Sequence, residues 1–205
     1  MSRADAVLFD LGGVLIDWNP RYLFRKLFAD EAAMEHFLAE VCGTIWNIEL
    51  DAGRSFDDGL AEALARAPEH ADMIHAYRDR WAEMLAGPID GTVAILEALH
   101  AAGVPLYALT NWSAETFPIA LAKYPFLALF RGIVVSGEER LVKPDPRIFH
   151  RTVQRYRLDP RRTVFIDDSL PNVTAAAHYL GMPALRFTGP DQLRADLAAL
   201  GFAPG

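Results

Sequence analysis

The sequence of 205 residues is poor in cysteine, in basic clusters and in long apolar runs, and each shortage excludes a class of protein. Cys42 is the only cysteine, so no disulfide can form within the chain, and a reducing, cytoplasmic location is expected. Lysine and arginine number 20 against 27 acidic residues, and the net charge of −7 argues against a nucleic-acid partner. No apolar stretch reaches the ~18 residues that a membrane-spanning helix needs, and residues 1–5 lack the apolar region of a signal peptide.

Short apolar runs are what the chain has instead, and five of them have the length of a strand. Each run is apolar at consecutive positions, which is typical of strands buried on both faces of a parallel sheet. The runs lie at residues 6–9, 104–109, 132–135, 163–166 and 184–187. Helical patterns separate the later runs, so the sequence predicts an α/β fold with a Rossmann-like parallel sheet of about five strands flanked by helices.

Capping residues mark the ends of several predicted helices. Asp145 and Pro146 are typical of a helix start, and Gly181 is typical of the residue that follows a helix. Ser113 is predicted to cap a helix that runs to Lys123. The other predicted helices in this part of the chain span residues 92–100, 172–180 and 191–200.

The segment from residue 17 to residue 87 breaks this alternation, because it has helical patterns and no run that resembles a strand. Asp30 opens one predicted helix, and Ser55 opens another with a pattern that resembles a capping box. Pro68 starts a longer predicted helix with Leu85 on its apolar face. The sequence therefore predicts an α/β core with an inserted all-helical domain. The predicted bounds are 1–16 plus 88–205 for the core and 17–87 for the insertion.

Polar residues lie just beyond the carboxyl ends of predicted strands, in four segments of the chain. They are, in chain order, Asp10, Thr110, Asn111, Lys143, Asp167 and Asp168. Ligands of open parallel sheets bind outside the carboxyl ends of the strands, so these side chains are expected to meet. Gly12 and Gly13 follow Asp10 and free the backbone beside it. The pattern is typical of a carboxylate nucleophile with a backbone cradle for an anion.

Four motifs carry a resemblance to a known family. They are FDLGGVL from Phe9, LTN from Leu109, KPDPRIF from Lys143 and FIDDSLPN from Phe165. In this order, along the whole chain, they resemble the haloacid dehalogenase (HAD) superfamily of hydrolases, and the helical insertion resembles the C1-type cap of that superfamily. The chain is also similar to a subgroup with a D-x-G-[GN]-V motif, which includes a bacterial glucose-1-phosphate phosphatase.

The resemblance assigns a catalytic or substrate-binding role to several of these residues. It implies that Asp10 is the nucleophile, which forms a covalent aspartyl intermediate, and that Lys143 places a positive charge beside it. It also implies that Thr110 and Asn111 donate hydrogen bonds to the phosphoryl oxygens and that Gly13 contributes to substrate binding.

The resemblance further implies a bound Mg²⁺ ion. Its implied ligands are the carboxylates of Asp10, Asp167 and Asp168 and the backbone carbonyl of Gly12. Asn172 is implied to orient the metal-binding carboxylates. A structural interpretation stays open for the acidic pair, since one of the two can also cap the following helix.

Residues of the insertion that contact a substrate are harder to select. Trp18 and Trp46 are the aromatic candidates, and packing between the two domains is their alternative role. Asp17 lies beside Trp18, whereas Glu49 and Asp51 lie near Trp46 in what the pattern indicates is a polar break between helices. This mixture of aromatic and hydrogen-bonding groups suits a sugar phosphate.

Gly12 limits the choice of reaction, because it stands where the superfamily usually has a second aspartate that protonates the leaving group. Such general acid–base help typically contributes about 10²–10⁴-fold to the rate. Its absence argues against a mutase. Three explanations stay open: a good leaving group, as in a sugar 1-phosphate or an acyl phosphate; a proton from an acid of the cap such as Asp17, Glu49 or Asp51; or a weak hydrolase or binding protein.

Together these features predict a Mg²⁺-dependent phosphatase that hydrolyses a small phosphomonoester, in particular a sugar phosphate. The alternatives are a 2-haloacid dehalogenase, whose aspartate attacks carbon without a metal, and a catalytically weak binding protein. The pair Asp167 and Asp168 favours the phosphatase, since carboxylates gathered near Asp10 are costly without a cation. A small phosphorylated metabolite is the expected partner, without nucleic acid or membrane, and the chain is expected to be a monomer or a homodimer.

Overall fold

The computed structural model describes residues 4–202 and contains seven strands and eleven α-helices in that range. The strands are β1 (Ala6–Phe9), β2 (Ile16–Trp18), β3 (Leu85–Pro88), β4 (Leu106–Thr110), β5 (Gly132–Val135), β6 (Thr163–Asp167) and β7 (Ala184–Arg186). The helices are α1 (Arg21–Phe24), α2 (Glu31–His36), α3 (Thr44–Asp51), α4 (Phe56–Arg66), α5 (Ala71–Asp79), α6 (Asp90–Ala101), α7 (Phe117–Lys123), α8 (Ser136–Glu139), α9 (Pro146–Tyr156), α10 (Leu170–Leu180) and α11 (Pro190–Ala199). A π-helical segment extends α2, and short 3₁₀ turns lie at Pro68–His70, Trp81–Met84, Pro125–Leu129 and Pro160–Arg162.

Five of the strands form a parallel sheet in the order β5-β4-β1-β6-β7. β1 lies at the centre, where Val7 pairs with Leu106 of β4 on one side and with Val164 of β6 on the other. The chain continues outward from β1 in both directions, which makes the β1 end a switch point of the kind that binds ligands in open α/β sheets. The predicted α/β fold with a five-stranded Rossmann-like sheet is confirmed.

Both faces of the sheet are covered, as the continuous apolar runs predicted. Val7 and Phe9 of β1 point into one buried cluster, which continues into the helical segment between β2 and β3. Leu8 points to the opposite face, where it packs with Phe149 of α9 and Phe165 of β6. Successive residues of a strand face opposite sides, so a strand covered by helices on both sides needs apolar residues at every position.

Several helix ends follow the predicted capping residues. Ser55 Oγ accepts a hydrogen bond from the N–H of Asp58 at 3.1 Å, so the predicted helix start at Ser55 is confirmed, although Asp58 Oδ2 accepts the Ser55 hydroxyl and not the Ser55 N–H of a full capping box. Asp145 Oδ1 accepts from the N–H of Arg147 at 2.9 Å and starts α9. Gly181 ends α10 with a φ of +66°, a conformation that favours glycine.

Two predicted helices have the wrong bounds. The helix expected from Ser113 begins at Phe117, because residues 113–116 form a turn in which Ser113 Oγ accepts the N–H of Glu115 at 3.2 Å. The helix expected from Pro68 onward is broken, since α5 ends at Asp79 and is followed by a 3₁₀ turn and then by β3.

The expectation that residues 17–87 contain no strand is also wrong, at both ends of this segment. β2 and β3 form a two-stranded antiparallel ribbon in which Ile16 faces Pro88 and Asp17 faces Gly87. These strands are short, and the Gly–Pro pair resembles a turn, so no sequence pattern reveals them. The ribbon ties the two ends of the helical insert, residues 19–84, to the parallel sheet. In residues 4–202, no helix combines the length and apolar character that crossing a bilayer requires.

Candidate active site

Three residues meet at one edge of the sheet because of the register of the central strands. Phe9 lies beside Ile166 of β6, and the N–H of Asp10 donates to the Ile166 carbonyl at 2.8 Å. Asp10 therefore emerges where β6 ends at Asp167, and β4 ends nearby at Thr110. The expected meeting of polar side chains at the strand ends is observed for these three.

Lys143 reaches this edge from the loop before α9, and its ammonium bridges two carboxylates. Lys143 Nζ lies 2.9 Å from Asp10 Oδ2 and 2.7 Å from Asp167 Oδ2, and its side chain is fully buried. Asn111 fixes the Lys143 backbone: the Asn111 Nδ2 donates to the Lys143 carbonyl at 2.9 Å, and its Oδ1 accepts from the Lys143 N–H at 2.8 Å. The Asn111 side chain thus positions Lys143 with its oxygen and one of its two amide N–H groups.

Asp167 is held by several donors, whereas Asp168 faces outward. Asp167 Oδ1 accepts from the Ser169 N–H at 2.8 Å and from Asn172 Nδ2 at 3.0 Å, in addition to the Lys143 contact at Oδ2. Asp167 is buried, and Asp168 is exposed. The acidic pair therefore divides into an anchored carboxylate and an accessible one.

Burial and neighbouring charges set the protonation of the site. Burial raises the pKa of Asp10, the Lys143 ammonium opposes this shift, and the negative charge of Asp167 adds to it. For Lys143, burial acts to lower the pKa, but the two carboxylates outweigh it and raise the pKa above its ordinary value. The ammonium keeps its proton, and a further positive charge would favour the ionised Asp10 that a nucleophile requires.

The donor set fits Mg²⁺. Carboxylate oxygens of Asp10, Asp167 and Asp168 lie within 4.8 Å of one another. Mg²⁺ prefers hard oxygen ligands, and one ammonium does not neutralise three carboxylates. Gly13, with a φ of +72°, lets the turn after β1 approach this cluster, because a Cβ there would lie 2.6 Å from Asp168 Oδ2. The same turn contains Gly12, whose carbonyl is a further oxygen donor.

The structure requires glycine at only one of the two positions in this turn, Gly12 and Gly13. Gly13 has a positive φ and contacts Asp168, and its N–H donates to the Ile16 carbonyl at 2.9 Å, so this amide is not available to a substrate. Gly12 borders open space, because a Cβ there would meet no atom of the described chain within 4 Å. Packing requires glycine at position 13 but not at position 12.

A cavity of about 60 Å³ lies beside Gly12, between the strand ends and the helical insert. Pockets for drug-sized ligands are typically ~300–1,000 Å³, so this cavity is smaller than a ligand of that size needs. Aromatic rings from both parts of the chain line the cavity, and the rings of Trp81 and Trp112 lie 5.5 Å apart at their centroids. Besides these two, the lining includes Trp18, Phe56, Asn47, Asp51 and Thr116.

Unpaired polar atoms surround this cavity. Trp18 Nε1, Trp112 Nε1 and Thr116 Oγ1 are buried and have no hydrogen-bond partner among residues 4–202, and neither has Thr110 Oγ1 at the end of β4. A buried polar group left unpaired costs about 1–3 kcal/mol. A ligand with several hydrogen-bonding groups would satisfy atoms that the protein leaves unpaired.

Direct contacts hold the helical insert against the sheet near α3. The Ser136 hydroxyl donates to the Asp51 carbonyl at 2.6 Å, and the Phe56 N–H donates to Glu115 Oε1 at 2.8 Å. Gly53 has a φ of +93°, and a Cβ there would lie 2.7 Å from the Gly137 carbonyl oxygen. The backbones of the two parts thus touch next to the cavity.

Trp46 is not brought to the cavity. It is buried inside the helical insert, where its Nε1 donates to the Gly59 carbonyl at 3.0 Å and its ring packs edge-on against Tyr77 at 4.9 Å. The expected polar break at this point is wrong as well, since Glu49 and Asp51 belong to α3. Trp46 packs within the insert, so its position matches neither the expected substrate contact nor packing between the two domains.

Six residues at the cavity were not selected from the sequence as substrate contacts, namely Asn47, Phe56, Trp81, Trp112, Ser113 and Thr116. Trp112 directly follows Asn111, so its place beyond a strand end was an available signal. Trp81 lies in a 3₁₀ turn within the stretch predicted as one long helix from Pro68, and Thr116 lies in the turn before α7, which begins at Phe117. Their approach to the site depends on how the helical insert folds back onto the sheet.

The model of one protein family matches most of the chain. Residues 4–179 match the haloacid dehalogenase-like hydrolase family. The chain belongs to this family. It is therefore a HAD-like hydrolase, as its four ordered motifs indicated.

This HAD-like hydrolase is similar to proteins of known name and structure. It is 26% identical to the sesquiterpene phosphatase astK of Aspergillus oryzae over 183 residues, which cover 89% of each chain. It is 28% identical to a phosphoglycolate phosphatase of Thiobacillus denitrificans over 189 residues, with 87% of this chain and 80% of the relative covered. A solved HAD-like family hydrolase from Porphyromonas gingivalis matches with a TM-score of 0.72 at 21% identity, over 98% of this chain and 100% of that one.

Proposed function

We propose that this HAD-like hydrolase is a Mg²⁺-dependent phosphomonoesterase that acts through an aspartyl-phosphate intermediate on Asp10. The observation that carries the proposal is the buried Lys143 ammonium, bridged between Asp10 and Asp167, with the accessible carboxylate of Asp168 beside them. The names of the two phosphatase relatives support the same reaction class.

The contacts of Asp10 suit nucleophilic attack on phosphorus. Its Oδ1 accepts the Leu11 N–H at 2.7 Å and its Oδ2 faces Lys143, so the carboxylate is held in one orientation. The Lys143 ammonium lies where it attracts the anionic phosphoryl group. The Thr110 hydroxyl, buried and without a partner in the described chain, is a free donor for a phosphoryl oxygen.

The proposed Mg²⁺ ligands are Asp10, Asp168 and the Gly12 carbonyl, with Asp167 at the edge of the same cluster. Asn172 holds Asp167 and so supports the arrangement. When bound, Mg²⁺ neutralises negative charge on the carboxylates and on the phosphoryl group, and thereby lowers the repulsion between nucleophile and substrate.

We further propose that residues 17–87 act as a cap domain and that the substrate is a small phosphorylated metabolite of the sugar phosphate type. Aromatic faces such as those of Trp81 and Trp112 stack against a sugar ring, and unpaired groups such as Trp18 Nε1 and Thr116 Oγ1 match its hydroxyls. In the case that no side chain supplies a proton, a sugar 1-phosphate is the narrower hypothesis, because its leaving group needs less protonation.

A 2-haloacid dehalogenase is less well supported by the site. Attack on carbon needs one carboxylate, and it gives no reason to gather Asp167 and Asp168 around Asp10. A catalytically weak binding protein is also less well supported, because a ligand site alone does not need a nucleophile oriented by a buried ammonium.

Phosphate release from a panel of sugar and other small phosphomonoesters, with and without Mg²⁺, tests the proposed function. We expect turnover that EDTA abolishes and that Asp10→Asn loses. Equal phosphate release by Asp10→Asn and by the parent protein would overturn the proposal. Chloride release from 2-chloropropionate in the presence of EDTA would identify the dehalogenase instead.

A further inference from the structure

Breaking an unactivated phosphate ester requires a proton donor for the alcohol that leaves, and this inference rests on the proposed function. An alkoxide is a strong base and takes up a proton as the phosphorus–oxygen bond breaks. Asp10 is the attacking group, and the Lys143 ammonium is buried between two carboxylates that hold its proton. Gly12 has no side chain to contribute. The donor must come from elsewhere around the cavity.

The structure separates the three acidic residues of the insert that could supply the proton. Asp17 accepts the hydroxyl of Tyr22 at 2.8 Å and does not line the cavity. Glu49 is exposed and pairs with Arg54 at 2.6 Å on the outer surface. Asp51 lines the cavity, and among the described residues that do so it is the only one with a titratable side chain.

We propose that Asp51 is the general acid and general base of this hydrolase and performs the task for which Gly12 has no side chain. Asp51 is the last residue of α3, and its Oδ2 accepts a hydrogen bond from Asn47 Nδ2 at 3.0 Å. The Tyr77 hydroxyl in turn donates to Asn47 Oδ1 at 2.8 Å. With its backbone carbonyl bound by Ser136, the carboxyl has a fixed position at the cavity wall.

The surroundings of Asp51 allow it to carry a proton at neutral pH. Burial raises the pKa of Asp51 from 3.8 to about 7, against smaller opposing effects of the Ser113 N–H, the Lys143 ammonium and the Asn47 amide. General acid–base groups work best when their pKa lies near the working pH. The influence of Lys143 also places Asp51 within electrostatic reach of the ammonium that contacts Asp10.

The proposed proton transfers balance over one turnover. Asp10 forms a bond to phosphorus while the bond from phosphorus to the ester oxygen breaks, and that oxygen takes the proton of Asp51 to leave as an alcohol. The ionised Asp51 then accepts a proton from water as the water oxygen attacks phosphorus. Inorganic phosphate leaves, and Asp10 is again a free carboxylate with Asp51 protonated.

The test compares the parent protein with Asp51→Asn on two substrates, a sugar 6-phosphate and p-nitrophenyl phosphate, in rapid-mixing experiments. The sugar ester needs the proton, so its turnover should fall by about 10²–10⁴-fold in the variant. The nitrophenolate leaves without protonation, so the variant should still release one equivalent of it in a fast burst, followed by slow turnover. The burst reports an aspartyl-phosphate that lacks a base for its hydrolysis.

A merely structural role for Asp51 predicts a different result. It would lower the burst on the aryl ester together with turnover of the sugar ester, and that outcome would overturn the assignment, as would an unchanged rate on the sugar ester. Glu49→Gln is the matched control from the same helix and should behave as the parent. Because the space at Gly12 is open, adding Gly12→Asp to Asp51→Asn should restore part of the sugar-ester activity.

The same experiment separates this inference from the proposed function. If Asp10→Asn is inactive and the parent is active, the phosphatase stands and Asp51→Asn alone decides the role of Asp51. If the parent releases no phosphate from any ester of the panel, the proposed function and the inference are both overturned.

Discussion

The environment of Asp51 makes a prediction that needs no substrate. Asparagine at this position keeps the shape of the side chain and an oxygen to accept from Asn47, but it cannot ionise. Because burial raises the pKa of Asp51 to about 7 in the folded protein, from 3.8, ionisation of this carboxyl opposes folding. The protonated Asp51 carboxyl contributes its full stabilisation below the unfolded-state pKa, and this stabilisation is lost as the pH rises through about 7.

The size of the effect follows from the two pKa values. As the pH rises from about 5 to about 8.5, the shift of the Asp51 pKa from 3.8 to about 7 lowers the free energy of unfolding by ~2.7 kcal/mol. Asp51 is only partly shielded from solvent, which reduces the expectation to about 1–2.5 kcal/mol. Relative to the parent protein, Asp51→Asn should gain this amount in the free energy of unfolding as the pH rises over that range.

Urea unfolding followed by circular dichroism at both pH values measures the difference. Subtracting parent from variant at each pH removes the titration of all other groups. Glu49→Gln, which removes an exposed carboxyl of the same helix, shows how much of any change is general. If the variant and the parent differ by the same amount at both pH values, burial does not raise the pKa of Asp51 and the electrostatic reasoning is refuted.

Three further predictions concern the carboxylate cluster. Lys143→Met leaves two buried carboxylates without their ammonium and should lower the free energy of unfolding by about 3–5 kcal/mol in urea; an unchanged midpoint contradicts the bridge. Asn172→Ala removes an amide that holds Asp167 and should weaken Mg²⁺ binding by about 10–100-fold in calorimetric titration, whereas equal affinity contradicts its orienting role. Gly13→Ala, strained at a positive φ, should lower the melting temperature, while Gly12→Ala meets open space and should not; equal effects contradict the distinction.

The parallel sheet could be predicted because its strands are continuous apolar runs that end at polar residues. β1 shows this most clearly, since all four of its residues are buried and Asp10 follows directly. The ribbon of β2 and β3 could not be predicted in this way. Its strands are held by pairing between the two ends of the helical insert, and the apolar pattern within each strand is too short to reveal it.

Part of the site could be predicted for the same reason. The strand ends and the ordered motifs placed Asp10, Lys143 and Asp167 near one another, and the structure brings them into contact. The contact of Asn111 with the Lys143 backbone and the burial of Trp46 inside the insert depend on tertiary packing. A linear pattern gives the residue types at these positions but not the atoms that their side chains reach.

The placement of the tryptophans gives the chain an optical signal of its own. Of the four in the sequence, Trp18, Trp81 and Trp112 line the cavity, and Trp46 lies in the core of the helical insert. Indole emission depends on the polarity around the ring. Opening of the insert or binding of a ligand should therefore change the emission of the three cavity tryptophans together, while the emission of Trp46 stays constant. Binding at this site can be followed by intrinsic fluorescence, without a label and without turnover.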